Sequence, residues 1–196
     1  MSFKIEVTNL KELQGKLEKM TDNVQRKLKD ELNVFADNTV TEAKRMAPVD
    51  EGFLRNSISA KKVTAISKKM EVEIIVAADY AAYIEFGTRK FAAAYVATLP
   101  PEWQEYAAKF KGKGGGTMDD FIQRIMAWVE RKGIGAMQTK SGNVSKSADS
   151  YDKMQAAAYG IAINILQNGI KQHPFLFPAV ENNKKIFLDK VNDIVK

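Results

Sequence analysis

The chain of 196 residues contains no cysteine and a single histidine, His173. Without cysteine there are no disulfides and no thiolate metal sites, which suits a protein assembled in a reducing cytoplasm. One histidine cannot supply a histidine-based metal centre, and no serine or cysteine nucleophile stands beside it in a triad pattern. No apolar run approaches the roughly 18 residues that a membrane span needs, and no signal-peptide pattern opens the chain. The expectation is a protein made in the cytoplasm, with no membrane contact and no cofactor. Proline is also scarce, at five residues, and each falls where the pattern of its surroundings changes.

What is present is ordinary in amount. Hydrophobic residues make up 45% of the chain, enough to bury a core, and the length suits one domain, alone or with a large insertion. Thirty basic residues stand against 24 acidic ones, for a net charge of +6. That excess bears on solubility and on non-specific attraction to polyanions, not on fold.

Phe3, Ile5 and Val7 alternate with polar residues and predict a short first strand. Asn9 and Glu12 have capping-box spacing, and Leu10, Leu13, Leu17 and Met20 then recur at helical steps. Val24, Leu28, Leu32, Phe35, Ala43 and Met46 continue the stripe and predict a helix over 22–46, about 37 Å long at 1.5 Å per residue. Pro48 disfavours helix at Ala47, so the helix stops there. Asp50 is placed to cap a short turn carrying Leu54 and Ile58, with Gly52 permitting the bend. A strand over 57–66 and a second over 70–76, where Met70, Val72, Ile74 and Val76 alternate with Glu71 and Glu73, predict a hairpin turning at Lys68-Lys69. Tyr80, Tyr83 and Ile84 share one face of a helical turn that Gly87 ends.

Beyond residue 88 the pattern changes. Pro100-Pro101 precedes a short helical stretch to Phe110, and the glycine run at 112–116 reads as a flexible joint. It is no phosphate loop, because Lys113 is followed by Gly114 and no strand precedes it. Phe121, Ile122, Ile125, Trp128 and Val129 predict an amphipathic helix from Met118 to Gly133. Residues 134–150, rich in Gly, Ser, Lys and Asn, read as a mobile loop. A helix carrying Met154, Ala158, Ile161 and Ile165 follows, and a last one runs from about Pro178 with Val180, Phe187, Val191 and Ile194 inward.

Three stretches carry the functional signal. Pro48, Val49, Asp50, Gly52, Leu54, Arg55, Ser57 and Ile58 form the first; Tyr80, Tyr83, Glu85, Phe86, Gly87 and Thr88 the second; His173, Pro174, Phe175, Leu176, Phe177, Pro178 and Ala179 the third. In type and order these blocks resemble the neck proteins (head–tail joining, tail completion or minor capsid) of long-tailed bacteriophages and prophages. The resemblance implies a structural virion protein and not an enzyme. Copies would form a ring between the head's connector, or head-closure protein, and the tail terminator, with genome DNA passing through the channel. The fold expected is α+β: a small antiparallel sheet packed by long N- and C-terminal helices, in one domain over 1–196 with a helical insertion at about 89–172.

The residues themselves leave roles open. The aromatic residues of the blocks suit either core or interface. Arg55 and Glu85 are candidates for an ion pair within or between subunits. Asp50, Asp79 and Glu85 show no spacing that gathers them round a metal or substrate. Lys61, Lys62, Lys68 and Lys69 form one basic cluster, and Arg131, Lys132, Lys140 and Lys146 another. Solvated surface is one reading of these clusters, and contact with DNA or with an acidic partner is the other. A non-specific double-stranded DNA-binding protein is therefore the alternative to the neck reading.

Overall fold

The computed structural model describes residues 22–63, 70–110, 117–139, 141, 143 and 147–195. The expected strand over 3–7, the helix from Leu10, the turn at Lys68-Lys69 and the joint at 112–116 lie outside the described residues. The chain divides into two compact units, one made of 1–86 with 172–196 and the other of 87–171.

In the first unit, helix α1 spans Asp22–Met46 and buries Leu28, Leu32, Phe35, Ala36, Thr39 and Ala43. These recur at three- and four-residue steps, so one face of the helix is apolar. A four-residue helix, α2 (Phe53–Asn56), leads into strand β1 (Ile58–Lys61), which pairs antiparallel with β2 (Glu73–Val76). Ile58 lies opposite Val76 and Ala60 opposite Ile74, and Ile58, Ile74 and Val76 are fully buried. The period of two turns these side chains to the core face, where each contributes about 1.5–3 kcal/mol. Helix α3 (Ala81–Phe86) follows and ends at Gly87, whose φ of 75° lies in the left-handed region.

The final helix of this unit, numbered below, spans Leu176–Val195. It packs along α1, with Phe35 and Phe187 in ring contact at 5.3 Å. Glu42 accepts hydrogen bonds from Asn182 at 2.7 Å and Asn183 at 2.6 Å. Asn33 clasps the chain after β1, donating to the Val63 carbonyl at 3.0 Å and accepting its N–H at 2.9 Å. Helix α1 therefore touches both the sheet and the last helix, and it is the spine of the unit.

The second unit is helical. It comprises α4 (Arg89–Val96), α5 (Pro101–Ala108), α6 (Met118–Lys132) and α7 (Ala148–Asn168), so the Leu176–Val195 helix is α8. Thr117 and Asp120 form a capping box at the start of α6, and Gly133 ends it at φ 64°. Helices α6 and α7 pack through Val129, Met154 and Ala158. Ile134 and Ala136 pack there too, and Met137 N–H donates to buried Ser150 Oγ at 3.1 Å. Residues 134–139 form a loop, as expected, but one that is anchored, because two apolar side chains and a serine acceptor hold a stretch whose composition suggests neither. The entry and exit of the unit are tied together. Thr88 N–H donates to Ile170 O at 2.9 Å, and Ile170 N–H to Thr88 Oγ1 at 2.7 Å.

The fold is α+β, as expected, with a two-stranded antiparallel sheet and a helical majority. Two corrections concern local structure. The N-cap of α2 is Gly52 at φ 84°, not Asp50, because the chain enters the turn through a left-handed residue and no side chain caps it. Helix α4 was not expected. It is alanine-rich and has no fully buried residue, so it lacks the stripe by which a helix is read.

Two glycines in α7 and at its end behave in opposite ways. A Cβ at Gly169, where φ is 88°, would stand 2.4 Å from the Thr88 carbonyl, whereas at Gly160 it meets nothing within 4 Å. Gly169→Ala is expected to destabilise the chain by about 1–3 kcal/mol, and Gly160→Ala to stabilise it by about 0.5–1 kcal/mol. Urea titrations of both variants check this. Equal shifts in one direction would contradict the geometry.

Candidate functional site

The second and third blocks meet at Glu85. This residue sits in α3 and is completely buried, at 0% exposure. Its carboxylate accepts the backbone N–H groups of Phe175 at 2.8 Å, Leu176 at 2.9 Å and Phe177 at 2.9 Å. A helix leaves its first four N–H groups without intrahelical partners. Here the fourth position is Pro178, which has no N–H. One carboxylate and one proline therefore satisfy the whole start of α8, and the negative charge lies at the positive end of the helix dipole. His173 N–H adds a bond to Ile84 O at 2.7 Å, so the segment before α8 is also tied to α3.

Burial pushes the Glu85 carboxyl above its ordinary value of 4.5. The hydrogen bonds from Leu176, Phe175 and Phe177, and the charge of His173, pull it back without cancelling that rise. The expected Arg55–Glu85 pair does not form. Glu85 is enclosed by backbone donors, and Arg55 is exposed on α2. A carboxylate with no exposed surface has none to offer a neighbouring subunit either.

The other block residues divide between core and surface. Leu54, Phe86 and Phe175 are buried, and Pro48, Tyr83, Pro174, Phe177 and Pro178 are half-buried. Ser57 Oγ donates to Leu54 O at 2.8 Å and closes α2. Asp50 is exposed, and Gly52 and Gly87 supply positive φ. Thr88 belongs to the closure of the second unit. Tyr80 is 45% exposed. Partial burial raises its phenol above 10.0, a hydrogen bond from the Leu54 backbone opposes this, and Asp50 and Glu51 add to the rise.

Val49 is 52% exposed and Phe53 67% exposed. Val49 belongs to the first block, whereas Phe53 was not singled out from the sequence. The available signal was that Phe53 falls outside the Leu54–Ile58 stripe and so faces away from the core. Asp50 and Glu51, which act on the Tyr80 phenol, are exposed, as is Asp79.

Among the basic candidates, Lys61 is exposed, and Lys62 pairs with Asp37 at 2.7 Å. Lys68, Lys69, Lys140 and Lys146 lie outside the described residues. Arg131 and Lys132 are exposed at the end of α6. The two clusters belong to different units. Among the described residues no group of three His, Cys, Asp or Glu could hold a metal ion, and no helix is long and apolar enough to cross a membrane.

Residues 11–87 match the family model described as "Bacteriophage HK97-gp10, putative tail-component". The match agrees with the resemblance carried by the first two blocks. It ends at Gly87, where the second unit begins. No curated protein and no solved structure matches the chain.

Replacing Glu85 tests the site. Glu85→Ala leaves three buried donors without an acceptor and is expected to cost about 3 kcal/mol or more. Because the folded pKa is raised, the folded state holds this proton more tightly than the unfolded one. Its contribution to stability is therefore largest below 4.5 and declines as pH rises through the raised value. Glu85→Gln removes that decline. Stability measured by denaturant from pH 4 to 8 checks both, and parallel profiles for wild type and Glu85→Gln would contradict the assignment.

Proposed function

With residues 11–87 matching a phage tail-component family, we propose that the chain is a structural protein of the virion neck. Copies form a ring that joins head to tail and completes the tail, made in the host cytoplasm and built into the particle. The observation that carries this reading is the joining of the family-matched segment to the third block through Glu85. Apart from Gly87 and Thr88, the blocks on which the neck resemblance rests lie in the first unit, where Val49, Phe53 and Tyr80 are exposed. The partners of the ring are other copies of itself, the head connector or head-closure protein, and the tail terminator. Residues 87–171 are proposed as an insertion into the neck domain. No catalytic step is assigned.

One observation favours a second role within this reading. Residues 87–171 contain twelve Lys and Arg against seven Asp and Glu, so they carry +5 of the chain's +6. Contact with the genome in the channel is therefore assigned to this part of the chain. Such contact is blind to base sequence, and its affinity falls steeply with salt.

Particle mass across concentration, by mass photometry with negative-stain imaging, should show closed rings of one copy number. Where the ring requires the connector beneath it as a template, loss of the gene in the parent phage decides. Separate heads and tails should then accumulate, and normally joined particles would overturn the neck assignment.

A further inference from the structure

We propose that Arg89, Lys90 and Lys171 form a phosphate-contacting site for double-stranded DNA at the pinned base of the second unit. The site rests on the genome-contact reading above and names the residues that carry it.

The fold brings these three cations to one place. Thr88 and Ile170 are joined by two hydrogen bonds, at 2.9 Å and 2.7 Å. Arg89 and Lys171 each lie one residue from that pair, a step of about 3.8 Å along the backbone. Lys90 Nζ donates to Asn168 Oδ1 at 2.8 Å, which ties the third ammonium to the same closure. Asn168 is itself fixed, since its Nδ2 donates to Asn164 Oδ1 at 2.7 Å. The backbones meet at Gly169, where a Cβ would collide with Thr88, so the cluster stands on a close-packed base.

The charges are available. All three residues are exposed. The side chains of Arg89 and Lys171 make no hydrogen bond or ion pair among the described residues. Lys90 meets neutral groups, the Asn168 amide and the Phe91 ring at 5.4 Å. No acidic residue occurs in the sequence from 86 to 101 or from 153 to 180. Like charges gathered without a counter-charge repel one another, and an anion from outside removes that repulsion. Arg89 carries a second sign. Its φ of 52° makes it the one non-glycine among the described residues in the left-handed region. Glycine would take that backbone without strain, and here the arginine side chain gains no partner inside the fold that offsets it. Its use therefore lies outside the chain.

The surroundings favour nucleic acid over an acidic protein. Protein interfaces gather exposed aromatic and apolar side chains at their centre. At this closure the apolar neighbours, Phe91 and Ile170, are half-buried, and what is exposed is cationic or small. Arginine, lysine and amide side chains are the groups that meet phosphate oxygens.

Titration of the full-length protein against a random-sequence duplex, read by fluorescence anisotropy from roughly 50 to 200 mM salt, tests the site. Arg89→Gly combined with Lys171→Gln should weaken binding roughly tenfold or more at the low-salt end and reduce the salt slope by about 2. Lys185→Gln combined with Lys190→Gln, an equal loss of charge on α8, should leave both unchanged. Circular dichroism checks the fold; should the first pair lose it, Lys90→Gln with Lys171→Gln is read in its place. If wild type binds and the altered closure binds equally well, this site is wrong and the genome-contact reading stands. An equal loss in the α8 pair would make net charge the cause and overturn the site. If the closure variant loses binding to poly-L-glutamate but not to duplex, the cluster serves an acidic protein and the proposal falls. If wild type shows no salt-dependent duplex binding, the genome-contact reading falls with it, and the gene-loss experiment decides the neck reading separately.

Discussion

A helix cannot begin inside a protein unless something accepts its first N–H groups. In this chain that requirement falls on one carboxylate. Glu85 is buried without a cationic side-chain partner in hydrogen-bonding contact, an arrangement that costs free energy unless the charge is well solvated by fixed dipoles. The three amides of Phe175, Leu176 and Phe177 supply that solvation. The two needs offset each other in part, since the helix start needs an anion and the anion needs donors, while burial still leaves the carboxyl above its ordinary value. Because the partners are about 90 residues apart in sequence, the bond also fixes how the chain returns after its second unit. Helix α8 can then lie along α1 with Phe187 against Phe35 and the two asparagines on Glu42.

The second unit is closed on itself by a smaller version of the same economy. Thr88 uses its N–H and its hydroxyl on Ile170, and Gly169 allows the backbones to approach where a Cβ would collide. A segment whose two ends are pinned together can vary in length and content without disturbing the chain on either side. The end of the family match at Gly87 accords with this. So does the charge: residues 11–87 hold 13 basic and 13 acidic residues, so the part outside the match holds all of the excess positive charge.

Much of the frame was legible in the sequence. Helix α1 showed itself because its apolar residues keep a helical period over 25 positions. Strand β2 did so because Ile74 and Val76 alternate with their neighbours, and Gly87 and Gly133 marked helix ends because only positive φ fits there. The use of Glu85 was not legible. Its partners are backbone groups, and no side-chain identity at 175–177 announces them. Pro178 was a partial sign, since a proline lacking an N–H belongs in the first turn of a helix rather than before it. The anchoring of residues 134–139 was hidden by a composition that resembles a linker, although Ile134 and Ala136 were there to be read. The exposed face of Phe53 followed from the turn's period but was not drawn from it.

One buried carboxylate organises the start of α8. Hydrogen exchange at the amides of Phe175, Leu176 and Phe177, read by NMR in the wild-type protein, tests it without any substitution. Exchange as slow as that of the central amides of α1, opening only with global unfolding, is the predicted result. Fast exchange at these three amides, in a protein whose α1 amides are protected, would show that Glu85 does not hold them and would contradict the account.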